Sequence, residues 1–400
     1  MEKVRIGIIG CGGISKCHID GVKILAENGC KEIEITALCD ERIENAEEKK
    51  EMILEFQKNE PVIFTDYEEI ISKKICDGFV LCLPHFLHHT IGLELLKNNY
   101  HIMIEKPLAL TLKAGKKLVN EAKKRNLVLS VAENVRRYLS PRSIKWVIEN
   151  KKYLGDIRFA LVNLVMNGPF DYTKYALKWR GIKVLSGGGM IMDSGHHFAD
   201  MLLYLFGEVE DVYCEIKRFD SRIIEEVPFL KKGRADVEDT WSAIIKFKSG
   251  IFINWVYSRS APGFNLNFGM YSGENGAIKD KGFVFHPFQN GGDIILNNEK
   301  VIKSEEIEKE FLNSLTEEEK EELFPYNCYD GFGLEWIDFA RGIKGERKVE
   351  IDGEDGLKIM ALCESCYESD YLKSSVKYGD VYSGKIKNYQ KEINDFWKIK

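Results

Sequence analysis

The sequence has no apolar segment long enough to cross a membrane, because none approaches the roughly 18 consecutive apolar residues that a span requires. The apolar part of the first ten residues is brief and runs directly into glycines, which does not fit a signal peptide. We therefore expect a cytoplasmic protein with no membrane partner.

Cysteine is scarce as well. Ten cysteines in 400 residues are too few for a disulfide scaffold and suit a reducing compartment. The CxxC pair Cys363 and Cys366 shares a helix face with apolar neighbours, which predicts two small core residues rather than metal ligands. His85, His88 and His89 crowd into one short segment, a pattern more typical of a polar loop at a helix start. The sequence predicts no metal site.

An excess of charge of one sign is also missing. The chain has 57 Lys and Arg against 63 Asp and Glu, a net charge of −6. Such a balance gives no electrostatic reason to expect a nucleic-acid partner. The length allows two domains, each with its own core.

Residues 3–132 alternate short apolar runs with helical segments, the pattern of a parallel sheet covered on both faces. This predicts an N-terminal doubly wound α/β domain over residues 1–132. The predicted strands are Val4–Ile9, Ile33–Cys39, Gly78–Leu83, His101–Ile104 and Val128–Val131. Residues Thr111–Arg125 have the spacing of an amphipathic helix.

The first predicted strand runs into a glycine-rich turn that begins at Gly10 and opens a helix. Gly10 permits the tight turn, and Gly12 lets the backbone approach a pyrophosphate at the helix N-terminus. Asp40, at the end of the second strand, would accept hydrogen bonds from the ribose hydroxyls. This pattern predicts a dinucleotide site, although a glycine turn alone can simply join a strand to a helix.

The residues after Asp40 bear on the choice of dinucleotide. Glu41 adds a negative charge where a 2′-phosphate would lie, which favours NAD over NADP. Arg42 leaves NADP open, because an arginine can accommodate that phosphate.

Lys106 follows a later strand of the same sheet, and in doubly wound folds ligands bind at the carboxyl edge of the strands. Pro107 restricts Lys106 to an extended conformation. An ammonium group there could stabilise a developing alkoxide. As an isolated feature, the same lysine would be a surface cation.

The pattern changes near residue 133, which predicts a second domain over residues 133–400. The runs from there are long and β-rich, and they suggest an α+β domain with an open, mostly antiparallel sheet and helices on one face. Its predicted strands are Ile157–Met166, Val209–Lys217, Thr240–Phe247, Ile251–Ser258 and Phe264–Tyr271. Residues 286–330 show the least clear pattern of helices and strands, apart from a capping box that starts at Thr316.

Residues 187–200 combine three glycines with a polar helix face. On a helical wheel Asp193, His197 and Asp200 fall within about 60° of one another. A carboxylate one turn before a histidine can orient the imidazole and raise its basicity. We choose His197 over His196 as the base because His197 shares the Asp193 face. The alternative is that Asp193 only caps a helix.

Several motifs occur together in one order. They are Gly10-Cys11-Gly12-Gly13, Asp40, Pro84 with His88, Glu105-Lys106-Pro107, Gly187-Gly188-Gly189, Asp193 to Asp200, Glu238-Asp239, and Val349 to Gly356 before a helix that carries Tyr367 and Ser369. This arrangement resembles the Gfo/Idh/MocA oxidoreductases across both predicted domains. Leu83 departs from the pattern, since threonine often precedes that proline.

The resemblance implies an N-terminal Rossmann domain, a C-terminal α/β domain, and a homodimer or homotetramer assembled through the C-terminal sheet. It also implies oxidation of a secondary hydroxyl of a sugar, inositol or related polyol, with Lys106, Asp193 and His197 at the reaction centre. The NAD contacts that it implies, together with those predicted above, are Gly10, Gly12, Gly13, Ile14, Asp40, Glu41, Arg42, Leu83, Pro84, His88, Glu105 and Lys106.

Two other functions stay open from the sequence. Some relatives use tightly held NAD to oxidise a glycoside transiently and then eliminate or hydrolyse it, with no net redox change. A dinucleotide-sensing regulatory subunit is the other, because the fold alone does not guarantee chemistry. Tyr138, Trp179 and Arg180 are candidate pocket residues, and their chain positions do not identify the substrate.

Overall fold

The structure, a computed structural model, describes residues 3–172 and 174–400. Contacts divide the chain into two compact units. The first comprises Met1–Ala109, Ala114–Arg137 and Leu315–Gly356, and the second comprises Leu110–Lys113, Tyr138–Ser314 and Leu357–Lys400. The domain boundary near residue 133 stays a prediction, and the contacts add Leu315–Gly356 to the unit that contains the N-terminus.

The strands, in chain order, are β1 (Val4–Ile9), β2 (Ile33–Cys39), β3 (Val62–Phe64), β4 (Gly78–Leu81), β5 (His101–Glu105), β6 (Leu129–Ala132), β7 (Ile157–Val165), β8 (Val209–Lys217), β9 (Ile223–Val227), β10 (Leu230–Arg234), β11 (Thr240–Phe247), β12 (Phe252–Ser258), β13 (Leu266–Gly273), β14 (Gly276–Asp280), β15 (Gly292–Leu296), β16 (Val301–Ile302) and β17 (Val376–Lys377).

The α-helices are α1 (Gly13–Glu27), α2 (Ile43–Leu54), α3 (Tyr67–Lys73), α4 (His85–Lys97), α5 (Leu112–Arg125), α6 (Leu139–Glu149), α7 (Lys183–Ser186), α8 (Gly195–Phe206), α9 (Ser304–Ser314), α10 (Glu317–Leu323), α11 (Gly331–Ile343), α12 (Gly353–Leu372), α13 (Tyr378–Ser383) and α14 (Lys391–Phe396). Short 3-10 helices lie at Val135–Arg137, Tyr175–Gly181 and Pro325–Asn327.

The first unit is built on a six-stranded sheet with the order β3-β2-β1-β4-β5-β6, and all of its pairs are parallel. Strands β4 and β6 are buried along their whole length, as expected for strands covered on both faces. The doubly wound parallel sheet that the apolar runs predict is therefore confirmed, as is the Rossmann domain that the resemblance implies. Strand β3 was not predicted, because three residues are too few to show a period.

Helix α11 joins the first unit by packing on α1. A Cβ on Gly21 would lie 2.5 Å from the backbone nitrogen of Gly333, so the two helices approach at backbone distance. The indole Nε1 of Trp336 donates to His18 Nδ1 at 2.9 Å, inside this contact. Such a pairing between distant parts of the chain leaves no local sequence pattern.

The second unit contains a nine-stranded sheet with the order β16-β15-β14-β13-β7-β12-β11-β8-β17. Its strands pair antiparallel except for β7 with β12. Strand β11 alternates buried and exposed residues along its length, so one face of the sheet is covered and the other is open. Phe198 of α8 packs on Trp255 of the covered face, with ring centroids 4.9 Å apart. The predicted open, mostly antiparallel sheet is confirmed.

Two smaller predictions also hold. Cys363 and Cys366 are fully buried thiols within α12, as expected for core residues. Thr316 and Glu319 form the predicted capping box at the start of α10. Within the described parts of the chain, no helix has the length and apolar character needed to cross a membrane.

A buried arginine connects two distant segments of the first unit. Arg137 is 1% exposed, and its guanidinium donates to Asp338 and to Glu350, each at 3.1 Å. Arg347 lies 3.0 Å from the other carboxylate oxygen of Asp338. Since a buried charge is tolerated only with partners of opposite charge, these pairs hold residues 338–350 against the end of the N-terminal segment.

We expect Arg137→Leu to destabilise the first unit by about 3–5 kcal/mol, because it removes one of the two cations beside the buried Asp338 carboxylate and the partner of Glu350. The measurement is guanidinium unfolding followed by circular dichroism. Arg158→Leu is the control: its pair with Glu274 spans 3.7 Å and is largely exposed, so the change should cost at most about 1 kcal/mol. Equal effects of the two substitutions would contradict the prediction.

Candidate active site

The glycine-rich turn lies between β1 and α1. Gly10 has φ +94°, and a Cβ there would lie 2.3 Å from the carbonyl oxygen of Cys82, so only glycine fits. Around Gly12 and Gly13, in contrast, no neighbouring atom of the described residues lies within 4 Å of an added Cβ. Gly12 gives α1 no side-chain cap, and the first turn of α1 has no acidic residue. The helix thus presents backbone N–H groups and its positive dipole end to open space, which suits a phosphate.

Asp40, directly after β2, stabilises this turn through hydrogen bonds. Its Oδ2 accepts from the Cys11 N–H at 2.7 Å, and its Oδ1 accepts from the Arg42 N–H and from Asn45 Nδ2, both at 3.0 Å. A carboxylate has room for about four hydrogen bonds. Asp40 is half-buried and retains capacity for a ribose hydroxyl, while Glu41 and Arg42 are exposed beside it. The sequence reasoning identified Asp40 but not its role in holding the turn.

His88 connects two loops at the carboxyl edge of the same sheet. The ring is fully buried in α4, with Nδ1 2.7 Å from the Pro107 carbonyl oxygen and Nε2 2.8 Å from that of Leu83. Burial lowers the pKa of His88, and the contacts with these two oxygens oppose that shift. The neutral ring has one N–H, so it donates to one carbonyl at a time. His88 is thereby suited to holding the loops around Pro84 and Lys106 in place.

Glu105 is similarly engaged by its own unit. Its Oε1 lies 2.9 Å from His18 Nε2, and its Oε2 accepts from the Lys106 N–H at 3.1 Å. Because Trp336 donates to His18 Nδ1, Nε2 is the nitrogen that carries the proton and donates to Glu105. This chain of contacts fixes the backbone from which the half-buried Lys106 side chain extends.

The first unit therefore brings together the residues that the sequence assigned to the cofactor. Gly10, Gly12, Gly13 and Ile14 form the turn and helix start, and Asp40, Glu41 and Arg42 follow β2. Leu83, Pro84 and His88 follow β4, Glu105 ends β5, and Lys106 follows it. All of these positions lie at the carboxyl ends of parallel strands, where doubly wound folds bind ligands.

Asp193 and His197 belong to the second unit, and the structure corrects one part of their prediction. Helix α8 begins at Gly195, so Asp193 lies in the preceding turn and the helical wheel does not apply to it. Its Oδ2 accepts from Arg180 Nε at 2.9 Å, and the Arg180 guanidinium lies 4.4 Å from the ring centroid of Trp179. Arg180 was only a candidate pocket residue, because a partner thirteen positions earlier leaves no spacing signal.

His197 lies in the first turn of α8 and is 8% exposed. Its ring centroid is 5.0 Å from that of His286, tilted by 36°. His196 and Asp200 are completely buried, so the polar residues of this helix do not form a solvent-facing stripe. His286 was missed, since it lies in the segment whose sequence has no readable period. Among the described residues, no group of three or more His, Cys, Asp or Glu side chains is arranged to hold a metal ion.

Comparison with known proteins follows the same two-part division. The family model described as an oxidoreductase family with an NAD-binding Rossmann fold matches residues 4–133. The family model of the corresponding C-terminal alpha/beta domain matches residues 147–378. The chain belongs to the Gfo/Idh/MocA oxidoreductase family. This confirms the resemblance and the predictions of an oxidoreductase and of NAD as cofactor.

Individual relatives of this Gfo/Idh/MocA protein are distant, and the matches cover from about two thirds to nearly all of each chain. Myo-inositol 2-dehydrogenase of Thermotoga maritima is 25% identical over 385 residues, covering 94% of this chain and 99% of that protein. Glucose-6-phosphate 3-dehydrogenase of Bacillus subtilis is 27% identical, covering 64% and 67%. The WlbA dehydrogenase of Bordetella pertussis, solved with NADH and UDP-GlcNAcA, has a TM-score of 0.72 at 23% identity, with coverage of 94% and 98%.

We expect Asp40→Ala to weaken NAD binding about tenfold or more, because it removes the proposed ribose acceptor and the brace of the Cys11 N–H. Titration with NADH, followed by its fluorescence, measures this. Asp20→Ala is the matched control, since Asp20 lies on α1 but pairs with Lys16 at the surface. An unchanged dissociation constant for Asp40→Ala would refute the assignment.

Proposed function

We propose that the protein is an NAD-dependent dehydrogenase that oxidises a secondary hydroxyl of a sugar, inositol or related polyol. The observation that carries the proposal is the N-terminus of α1, which has no side-chain cap and has open space around Gly12 and Gly13. Asp40 lies beside this turn, and the chain also contains Asp193 and His197. The named activities of the relatives, dehydrogenases of inositol and of glucose 6-phosphate, support a CH–OH substrate. They do not select one.

When bound, NAD supplies the acceptor for the hydride that leaves the carbinol carbon as its C–O bond becomes a carbonyl. The residues proposed to hold it are the turn at Gly10 to Ile14, the Asp40 to Arg42 segment, and the loops that contain Leu83, Pro84, His88 and Glu105. The carboxylates of Asp40 and Glu41 favour NAD over NADP, because their negative charge opposes a 2′-phosphate.

We assign the hydroxyl proton to His197. An alcohol is a weak acid, so its oxidation needs a positioned base and a cation near the oxygen. Lys106 is the proposed cation, held by the Glu105 and Pro107 loop described above. Asp193 is proposed to bind a substrate hydroxyl or to maintain the geometry, and its contact with Arg180 supports the second role.

The test is a screen of inositols, aldoses and glycosides for NADH formation, with the product quantified alongside. We expect one NADH per carbonyl formed. His197→Ala and Lys106→Ala should each lower turnover about 10²-fold or more, since each removes a group that acts on the reacting oxygen. The control is Lys124→Ala, which changes an exposed lysine of the first unit, the unit that contains Lys106.

Two results would contradict the proposal. Product formed without NADH accumulation, by protein that purifies with NAD bound, would indicate transient oxidation coupled to elimination or hydrolysis. An unimpaired rate for His197→Ala would remove the histidine from its proposed role. NAD affinity of His197→Ala should stay within about twofold, which separates chemistry from cofactor binding.

We further propose a homo-oligomer assembled through the open face of the nine-stranded sheet. Ile244 and Phe252 are 39% and 45% exposed on neighbouring strands of that face. Phe252 stacks on Phe159 of β7, with centroids 5.8 Å apart, so these two rings form one apolar patch. An apolar patch on an open sheet face is typical of a protein interface.

Phe252→Glu is expected to lower the oligomeric mass, because it places a charge within the proposed interface. Light scattering after size-exclusion chromatography measures this mass. Phe264→Glu is the control, as Phe264 is also exposed but precedes β13 and lies outside the sheet. The interface would be misplaced if both variants kept the mass of the unaltered protein.

A further inference from the structure

Glu238 is a buried carboxylate that the proposed chemistry does not use. It lies two residues before β11 and is 6% exposed. Its Oε2 accepts from the Gly189 N–H and its Oε1 from the Ile191 N–H, both at 2.8 Å. The carboxylate therefore bonds to the backbone of the turn that precedes Asp193.

Tyr367 of α12 approaches the same carboxylate. Its hydroxyl donates to Glu238 Oε1 at 2.9 Å, and its ring stacks on Tyr389 with centroids 4.2 Å apart and planes within 5°. Burial raises the pKa of Glu238 to about 7, and the hydrogen bonds from Ile191, Gly189 and Tyr367 oppose this rise. These donors thus favour the charged form, which accepts from all of them.

The glycines of the turn fit against this pair without space for side chains. A Cβ on Gly188 would lie 2.1 Å from the Tyr367 hydroxyl, and one on Gly189 would lie 2.7 Å from the Glu238 carbonyl oxygen. Gly187 has φ +83°, a conformation that glycine adopts without strain. Contact with Tyr367 and Glu238 thereby explains Gly188 and Gly189, and the backbone conformation explains Gly187.

The turn in turn fixes the start of α8. The Asp193 N–H donates to the Gly189 carbonyl at 3.0 Å, and the Gly195 N–H donates to the Met190 carbonyl at 2.7 Å. A Cβ on Gly195 would lie 2.9 Å from the Trp255 ring, which leaves the helix start little freedom. Displacement of Gly189 would therefore displace Asp193 and the first turn that carries His197.

We propose that Glu238 and Tyr367 are positioning residues, which hold the glycine turn so that Asp193 and His197 keep the geometry of the reaction. This rests on the proposed function for its catalytic consequence. The anchoring of the turn depends only on the contacts within the second unit. Misplacement of a catalytic group by about 1 Å can cost about 10²-fold in rate.

Glu238→Gln tests the anchor, because the amide keeps the shape but offers one acceptor oxygen for three donors. We expect kcat to fall about tenfold or more, with NAD affinity within about twofold of the unaltered protein. Hydrogen exchange of the peptide that spans residues 187–195 should accelerate at least about tenfold, as its backbone bonds are lost. Tyr367→Phe removes one donor and should shift both readouts in the same direction by less.

Glu364→Gln is the matched control. Glu364 is a fully buried carboxyl of the same helix as Tyr367, and neither of its oxygens has a hydrogen-bond partner among the described residues. Its substitution should leave kcat and the exchange of residues 187–195 unchanged. Should Glu238→Gln fail to fold, Tyr367→Phe provides the same two readouts.

Unchanged exchange of residues 187–195 in the folded Glu238 variant, or in Tyr367→Phe if that variant carries the test, would overturn the anchoring role. Accelerated exchange with an unchanged kcat would overturn the positioning role. If the unaltered protein oxidises no sugar or polyol, the proposed function fails, whereas the exchange measurement still decides whether the pair anchors the turn.

Discussion

The nucleotide-binding part of the molecule depends on one close approach. At residue 10 the chain passes so near the Cys82 carbonyl oxygen that no Cβ fits between them. This approach occurs where β1 and β4 end side by side, which is also where the strand order of the sheet reverses. The glycine turn and the loop after β4 therefore meet at the switch point of the sheet, which is where doubly wound folds bind ligands.

Buried polar groups fix individual loops within each unit. His88 lies between two main-chain carbonyls, and Glu105 is held by His18, whose other ring nitrogen accepts from Trp336. In the second unit Glu238 accepts from the glycine turn in the same manner. Since a buried polar group without partners is costly, each of these side chains restricts its loop to few conformations. The side chains proposed to meet the substrate extend from backbone that others hold.

Local periodicity was sufficient to predict the two sheets, because both depend on apolar runs or alternation within single strands. The glycine turn and Asp40 were likewise readable, since their spacing follows from the geometry of one strand-turn-helix unit. Contacts between distant segments could not be predicted from the sequence. Neither the packing of α11 on α1 nor the pair of Arg180 with Asp193 has a fixed spacing in the chain. Asp193 was predicted to lie within the helix, but it lies in the turn before α8. The helical spacing of the residues continues through this turn, so the spacing alone did not show where the helix begins.

The bond between Asp40 and the Cys11 N–H has a consequence for changing the cofactor. At the proposed ribose position this carboxylate would oppose a 2′-phosphate, so adapting the proposed site to NADP would call for its removal. That removal would also deprive the glycine turn of an acceptor for one of its amides. A successful redesign must therefore supply a neutral oxygen, such as a serine hydroxyl, that reaches the Cys11 nitrogen. Under the proposed assignment, the Asp40 carboxylate thus serves both cofactor preference and the folding of the glycine turn.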